Sequence, residues 1–251
     1  MNAQRWPVRA WLKRGVPYGS VVLAGVVLGF VALAQSSPEI NVERPASFTI
    51  VDGGTDAQGN RPVGVQQTLT YTVRNAGTAT LNVTLVASAS ASNVTVDAIT
   101  PTSFTVSSGG GTATFDVRYT PTAEGSFSFE LDLANDDADE GNYDITVSGD
   151  ALNHPTIDKA FSPTTIGVGG ISTLTFTLTN LNAGSGLTGL NFTDALPAGV
   201  EIATTPNLGG TCGAVATNFT PNIAAGGTSI NLTSGVSLAA SGSCTIFVDV
   251  N

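Results

Sequence analysis

Beyond residue 34 the chain has very few basic side chains. Arg44, Arg61, Arg74, Arg118 and Lys159 are all of them, against nineteen carboxylates, so this part carries a formal charge of −14 where the whole chain carries −10. A body this acidic repels nucleic acid and anionic lipid, which excludes both as expected partners. Histidine is reduced to His154, which stands beside Pro155. One imidazole cannot supply the three or four ligands of a zinc site, and in a linker it is a poor base for a Ser-His-Asp triad. Lysine, glutamate and methionine are scarce, so long amphipathic helices are not expected. Aromatics make up 7% of the chain, few for a substrate cleft, and Tyr71, Tyr119, Phe127 and Phe129 fall on apolar faces where they read as core. Ser108–Gly111 is glycine-rich but lacks the Lys-Ser/Thr and following helix of a phosphate-binding loop. No catalytic cluster emerges, and the chain is not expected to be an enzyme.

What is present begins with a leader. Arg5, Arg9, Lys13 and Arg14 precede an apolar stretch from Val16 to Leu33, and Ala32-Leu33-Ala34 gives the small-x-small pattern of a cleavage site before Gln35. About 18 apolar residues are also enough to span a bilayer. The cleavage pattern and the polar residues after it favour a removed signal peptide at 1–34 over a retained anchor. The mature chain is then expected in the extracellular space or cell envelope, with no membrane span. Cys212 and Cys244 are the only cysteines. In an oxidising compartment they are expected to form a disulfide, and closing that loop contributes about 3–4 kcal/mol in the chain-entropy estimate. No C-x-x-C spacing or basic neighbour suggests a redox-active pair.

The remainder alternates. In Thr112–Thr120, Ala113, Phe115, Val117 and Tyr119 face one way and Thr112, Thr114, Asp116 and Arg118 the other. Phe127, Phe129, Leu131 and Leu133 repeat the rule, as do Leu69, Tyr71 and Val73, and Tyr143, Ile145 and Val147. A two-residue period sends one face of each strand to a core and the other to water. Turn signals at Asn75-Ala76-Gly77 and Ser108–Gly111 separate the strands. Residues 40–150 hold fourteen carboxylates and residues 155–251 only four, which marks a boundary near Ala151–Pro155. The expected fold is all-β: two Ig-like antiparallel β-sandwiches in tandem, each of about 100 residues. The expected order is a flexible segment at 35–45, a sandwich at 46–150, a linker at 151–158 and a second sandwich at 159–251. The last readable strand runs to Val250, one residue from the end, so this second sandwich is expected to be truncated.

Two resemblances follow. Ile50-Val51-Asp52-Gly53, Leu69-Thr70-Tyr71-Thr72-Val73-Arg74-Asn75-Ala76-Gly77, Phe115-Asp116-Val117-Arg118-Tyr119-Thr120-Pro121 and the closing Val147-Ser148-Gly149 occur in order. In this set the N-terminal half resembles the Ig-like domains of the HYDIN/ASPM/SPD-2 group and the choice-of-anchor D repeats of bacterial surface proteins. Phe161-Ser162-Pro163, Leu174-Thr175-Phe176-Thr177-Leu178-Thr179-Asn180, Phe192-Thr193-Asp194-Ala195-Leu196-Pro197-Ala198-Gly199 and the two cysteine segments follow. In these the C-terminal half resembles DUF11-like bacterial surface repeats. The resemblances imply a modular exported β protein and bring no catalytic residues with them.

The strongest local candidate is Asn135-Asp136-Asp137-Ala138-Asp139-Glu140. Closely spaced oxygen ligands in a loop suit Ca²⁺, and Asp136, Asp137, Asp139 and Glu140 are the candidate ligands. The offsets are not those of an EF-hand. A solvated acidic turn between two strands is the competing reading, and no other cofactor is indicated. Asn82, Asn93, Asn191, Asn218 and Asn231 each begin an Asn-x-Thr pattern, a by-product of many Asn and Thr residues. Isopeptide cross-linking needs a lysine, and Lys159 at the domain edge is the only one in the mature chain. The sequence therefore points to a non-catalytic structural or adhesion module of the bacterial envelope or surface, contacting proteins or glycans. The alternatives are accessory binding domains of a larger secreted enzyme, or a calcium-dependent surface module.

Overall fold

The computed structural model describes residues 37–212 and 223–251, and every regular element among them is a strand. The expected leader at 1–34 lies outside the described residues. No helix among the described residues is long and apolar enough to cross a membrane.

Ten strands make up the first part: β1 (Ile40–Glu43), β2 (Thr49–Ile50), β3 (Gly54–Pro62), β4 (Gln67–Asn75), β5 (Leu81–Ser92), β6 (Val94–Thr100), β7 (Phe104–Val106), β8 (Gly111–Pro121), β9 (Gly125–Asn135) and β10 (Asn142–Leu152). They form two five-stranded sheets, in the orders β2-β1-β4-β8-β6 and β3-β10-β9-β5-β7. Pairing is antiparallel except between β3 and β10, which run parallel with a shift in register between Ser148 and Asp150. The alternation of β4, β8, β9 and β10 places Tyr71, Phe115, Val117, Tyr119, Phe127, Phe129, Leu131, Leu133, Ile145 and Val147 in one buried cluster. Tyr71 stacks on Phe115 at 5.2 Å and Tyr119 meets Phe129 at 5.4 Å between ring centroids. Each large apolar side chain so buried contributes roughly 1.5–3 kcal/mol before the entropy of ordering it is counted.

Within the segment 35–45, expected to be flexible, the described residues include a strand that joins the first sheet. Ile40 and Val42 are buried in the first core, and β1 pairs with β4 from Ile40 opposite Asn75 to Glu43 opposite Thr72. The reason is local: Ile40 and Val42 alternate with polar neighbours, so four residues are enough to offer β4 both a hydrogen-bonding edge and an apolar face. Gly77 permits the approach. A Cβ there would collide with the backbone of Ser37–Glu39.

The second part has β11 (Thr156–Ser162), β12 (Ser172–Thr179), β13 (Leu187–Ala195), β14 (Gly209–Gly210), β15 (Ser229–Leu238) and β16 (Ser243–Val250). They form a four-stranded sheet in the order β11-β12-β16-β14 and a two-stranded sheet of β13 and β15, whose register shifts around Leu190. Leu174, Phe176, Leu178, Ile230, Leu232, Val236, Ile246 and Val248 form a second buried cluster, with Phe192 packed 4.9 Å from Phe176. β10 continues to Leu152 and β11 starts at Thr156, so only residues 153–155 separate strands within the expected linker at 151–158.

Candidate functional site

The acidic segment forms the connection between β9 and β10, and its own side chains shape it. Asn135 Oδ1 accepts the Asp137 amide at 2.8 Å, while Asn135 Nδ2 donates to the carbonyls of Leu133 (3.0 Å) and Glu140 (2.7 Å). Asp136 points away from its neighbours. Its Oδ1 accepts the Asn82 amide at 2.7 Å and its Oδ2 accepts Asn82 Nδ2, which together hold the carboxyl below the usual carboxylate range. Asp137 turns inward and is only 4% exposed. Its Oδ2 accepts the Ile40 amide at 2.8 Å, whereas Oδ1 is buried without a hydrogen-bond donor among the described residues.

A residue absent from the sequence-based set joins them. One carboxylate oxygen from each of Glu39, Asp137 and Asp139 lies within 4.8 Å of the others. Glu39 is fixed by its backbone: its amide donates to Asn75 Oδ1 at 3.1 Å and its carbonyl accepts the Ala76 amide at 2.9 Å. Glu140 sits beside this group. Burial raises its pKa, and the negative charges of Glu39, Asp137, Asp139 and Asp52 raise it further. Of the four residues expected as calcium ligands, the structure therefore brings Asp137 and Asp139 together, sends Asp136 to Asn82 and leaves Glu140 at the margin. Glu39 lies 98 positions before Asp137, too far for any spacing rule to find it.

Elsewhere carboxylates serve the sheets. Asp56 receives Arg44 Nη2 at 2.7 Å, Arg44 Nε and the Tyr71 hydroxyl at 2.7 Å. Burial, reinforced by the Asp56 charge, pushes the Tyr71 hydroxyl far above its ordinary pKa. Glu43 takes Arg74 Nε at 2.7 Å and the Ser47 amide at 2.6 Å. Lys159 Nζ donates to Asp194 Oδ2 at 2.6 Å and lies over the rings of Phe161 and Phe176, and among the described residues no second carboxylate is hydrogen-bonded to this pair. His154 falls between β10 and β11. Cys212 and Cys244 form a disulfide within the second core, tying Cys212 to β16.

A second polar constellation lies where the two strand groups meet. Asn182, fully buried in the connection between β12 and β13, accepts the Asn153 amide through Oδ1 at 2.6 Å and donates Nδ2 back to the Asn153 carbonyl at 3.0 Å. Asn180 Oδ1 accepts both the amide and Nδ2 of Asn182. From the turn between β8 and β9, the two carboxylate oxygens of Glu124 accept the amides of Ala183 and Gly184, each at 2.8 Å, and these bonds lower the Glu124 pKa.

Residues 155–251 match the model of DUF7933, a domain of unknown function. No curated protein matches the chain. Among solved structures, the human CEP192 ASH/PapD-like domain (PapD-like domain 7) shares 13% identity over 55% of this chain and 99% of its own, with a TM-score of 0.34. The secreted serine protease VesC from Vibrio cholerae shares 14% over 85% of this chain and 46% of its own, with a TM-score of 0.33. The C-terminal domain of the Streptococcus agalactiae AgI/II polypeptide BspA shares 12% over 85% of this chain and 90% of its own, with a TM-score of 0.31. Likenesses this distant transfer no function to the chain.

Proposed function

We propose that this chain is a non-catalytic, exported structural or adhesive module of the bacterial envelope or surface. In this reading β1–β10 form one Ig-like sandwich of the HYDIN/ASPM/SPD-2 type and β11–β16 a second of the DUF11-like type. The observation that carries it is the junction. A buried asparagine that exchanges two hydrogen bonds with the connecting segment, and a glutamate that takes two amides of the opposing loop, are devices for holding two bodies at a fixed angle. Such a joint suits a spacer that transmits force or presents a surface at a distance. The strands themselves commit their carboxylates to Arg44, Arg74, Tyr71 and neighbouring hydroxyls, roles that stabilise sheets. The expected partner is a protein or glycan outside the cell, met by a sheet face or by strand addition at an open edge.

The test is made on intact cells of the source bacterium. Antibody raised against residues 37–251 should label them without lysis, external protease should remove the label, and deletion of the gene should reduce attachment to protein- or glycan-coated surfaces. Labelling confined to lysed cells, or unchanged attachment after deletion, would overturn the proposal.

A further inference from the structure

We propose that Glu39, Asp137 and Asp139 bind a calcium ion that fastens the start of β1 to the turn between β9 and β10. Two independent observations converge on it. The first is the meeting of three carboxylates whose oxygens lie within 4.8 Å of one another, with no lysine or arginine paired to any of them among the described residues. The second is Asp137 itself. It is 96% buried, and the carboxylate that faces this group keeps one oxygen, Oδ1, without a donor. A buried acceptor with nothing to accept is unfavourable, and so is the crowding of like charges; one divalent cation relieves both.

The donor set also favours one ion. Ca²⁺ takes carboxylate oxygens at about 2.3–2.6 Å in flexible geometry, whereas Mg²⁺ demands a near-ideal octahedron and gives up its water reluctantly. Three carboxylate oxygens all within 4.8 Å of one another can share one Ca²⁺. The frame is already built. Glu39 is held by Asn75 and Ala76, Asp137 by the Ile40 amide, and the Asp139 side is shaped by Asn135. Three protein oxygens leave several positions for water in a shell of six to eight, so the affinity expected is that of an extracellular module, on the order of 10⁻⁴–10⁻³ M.

The location gives the ion a purpose. β1 belongs to one five-stranded sheet and β9 and β10 to the other, so the ion would bridge the two sheets where the chain enters the first core. The inference goes beyond the adhesive reading and does not depend on it. The test is calorimetric titration of CaCl₂ into the full chain after EDTA treatment, paired with melting curves in EDTA, Ca²⁺ and Mg²⁺. One site is expected, with the melting temperature raised several degrees by Ca²⁺ and by much less in equimolar Mg²⁺. Asp139→Asn, at an exposed position, and Glu39→Gln should each lose at least tenfold in affinity while keeping the wild-type circular dichroism spectrum. Absence of binding heat, equal response to Mg²⁺, or unchanged affinity in whichever variant folds would each overturn the assignment.

Discussion

Asn182 and Asn153 exchange a reciprocal pair of hydrogen bonds, amide to Oδ1 at 2.6 Å and Nδ2 to carbonyl at 3.0 Å. The exchange satisfies both backbone groups of Asn153, a half-buried residue that belongs to no strand, through an Asn182 side chain that is itself fully buried. Asn182→Ala should therefore strand the Asn153 amide and lower stability by about 1–3 kcal/mol, read as the urea midpoint. Glu124→Ala removes the second tie, whose carboxylate meets solvent. Its expected effect is on shape: a wider distribution of interatomic distances in small-angle scattering, with the urea midpoint near wild type. A rigid profile in the double variant would show that the joint is held by other contacts.

Gly77 makes a prediction about β1. The backbone of Ser37–Glu39 runs so close to it that an added methyl group must push the segment away. Gly77→Ala should loosen β1 from β4, exposing Ile40 and Val42, while leaving β8–β10 in place. Hydrogen exchange is the direct measurement: the Ile40 amide, protected in the wild type by Asp137 Oδ2 at 2.8 Å, should exchange faster, and the Phe129 and Ile145 amides should not. Unchanged exchange at Ile40 would mean the segment accommodates the methyl group.

The strands were legible because a two-residue period survives in single sequences. Thr112–Thr120 and Phe127–Leu133 declare both their strand state and their buried face, and Phe115, Val117, Phe129 and Leu131 are indeed core. The disulfide was legible because two cysteines leave a single pairing. β1 was missed because four residues offer only two alternations, too few to rise above an apparently irregular approach. Glu39 and the Asn153–Asn182 exchange were missed for a different reason. They join residues 98 and 29 positions apart, through pairings such as β1 with β4 that no local pattern encodes. Asp136 counts among the expected ligands because spacing cannot tell which carboxylate of a run turns to a neighbouring strand.

The disulfide should act on one core only. Cys212 and Cys244 pack with Leu178, Val236 and Ile246 in the second cluster, and neither touches the first. Reduction, or replacement of both by alanine, removes about 3–4 kcal/mol from the unfolding free energy of that cluster. Scanning calorimetry with and without a phosphine reductant should show one transition moving down and a second unmoved. A single transition that shifts as a whole would mean the two cores unfold as one.

Acid should act through two carboxylates in opposite senses. Glu43 is buried, and its hydrogen bond from Arg74, followed by that from the Ser47 amide, holds its pKa below the usual carboxylate value. A folded pKa below the unfolded value of about 4.3 means that the pair contributes fully above that pH and is lost as pH falls through the folded value. Asp144 is the reverse: burial raises its pKa, and Asp132, directly opposite on β9, raises it further. Its ionised form opposes folding near neutrality, and protonation relieves that as pH falls through its folded value. Glu43→Gln should therefore be less stable than wild type at pH 7 and approach it as pH falls through the lowered folded value of Glu43, whereas Asp144→Asn should be more stable at pH 7 and approach it as Asp144 becomes protonated. Urea midpoints measured from pH 3 to 7 decide the matter: parallel curves for either variant would detach that carboxylate from the acid response.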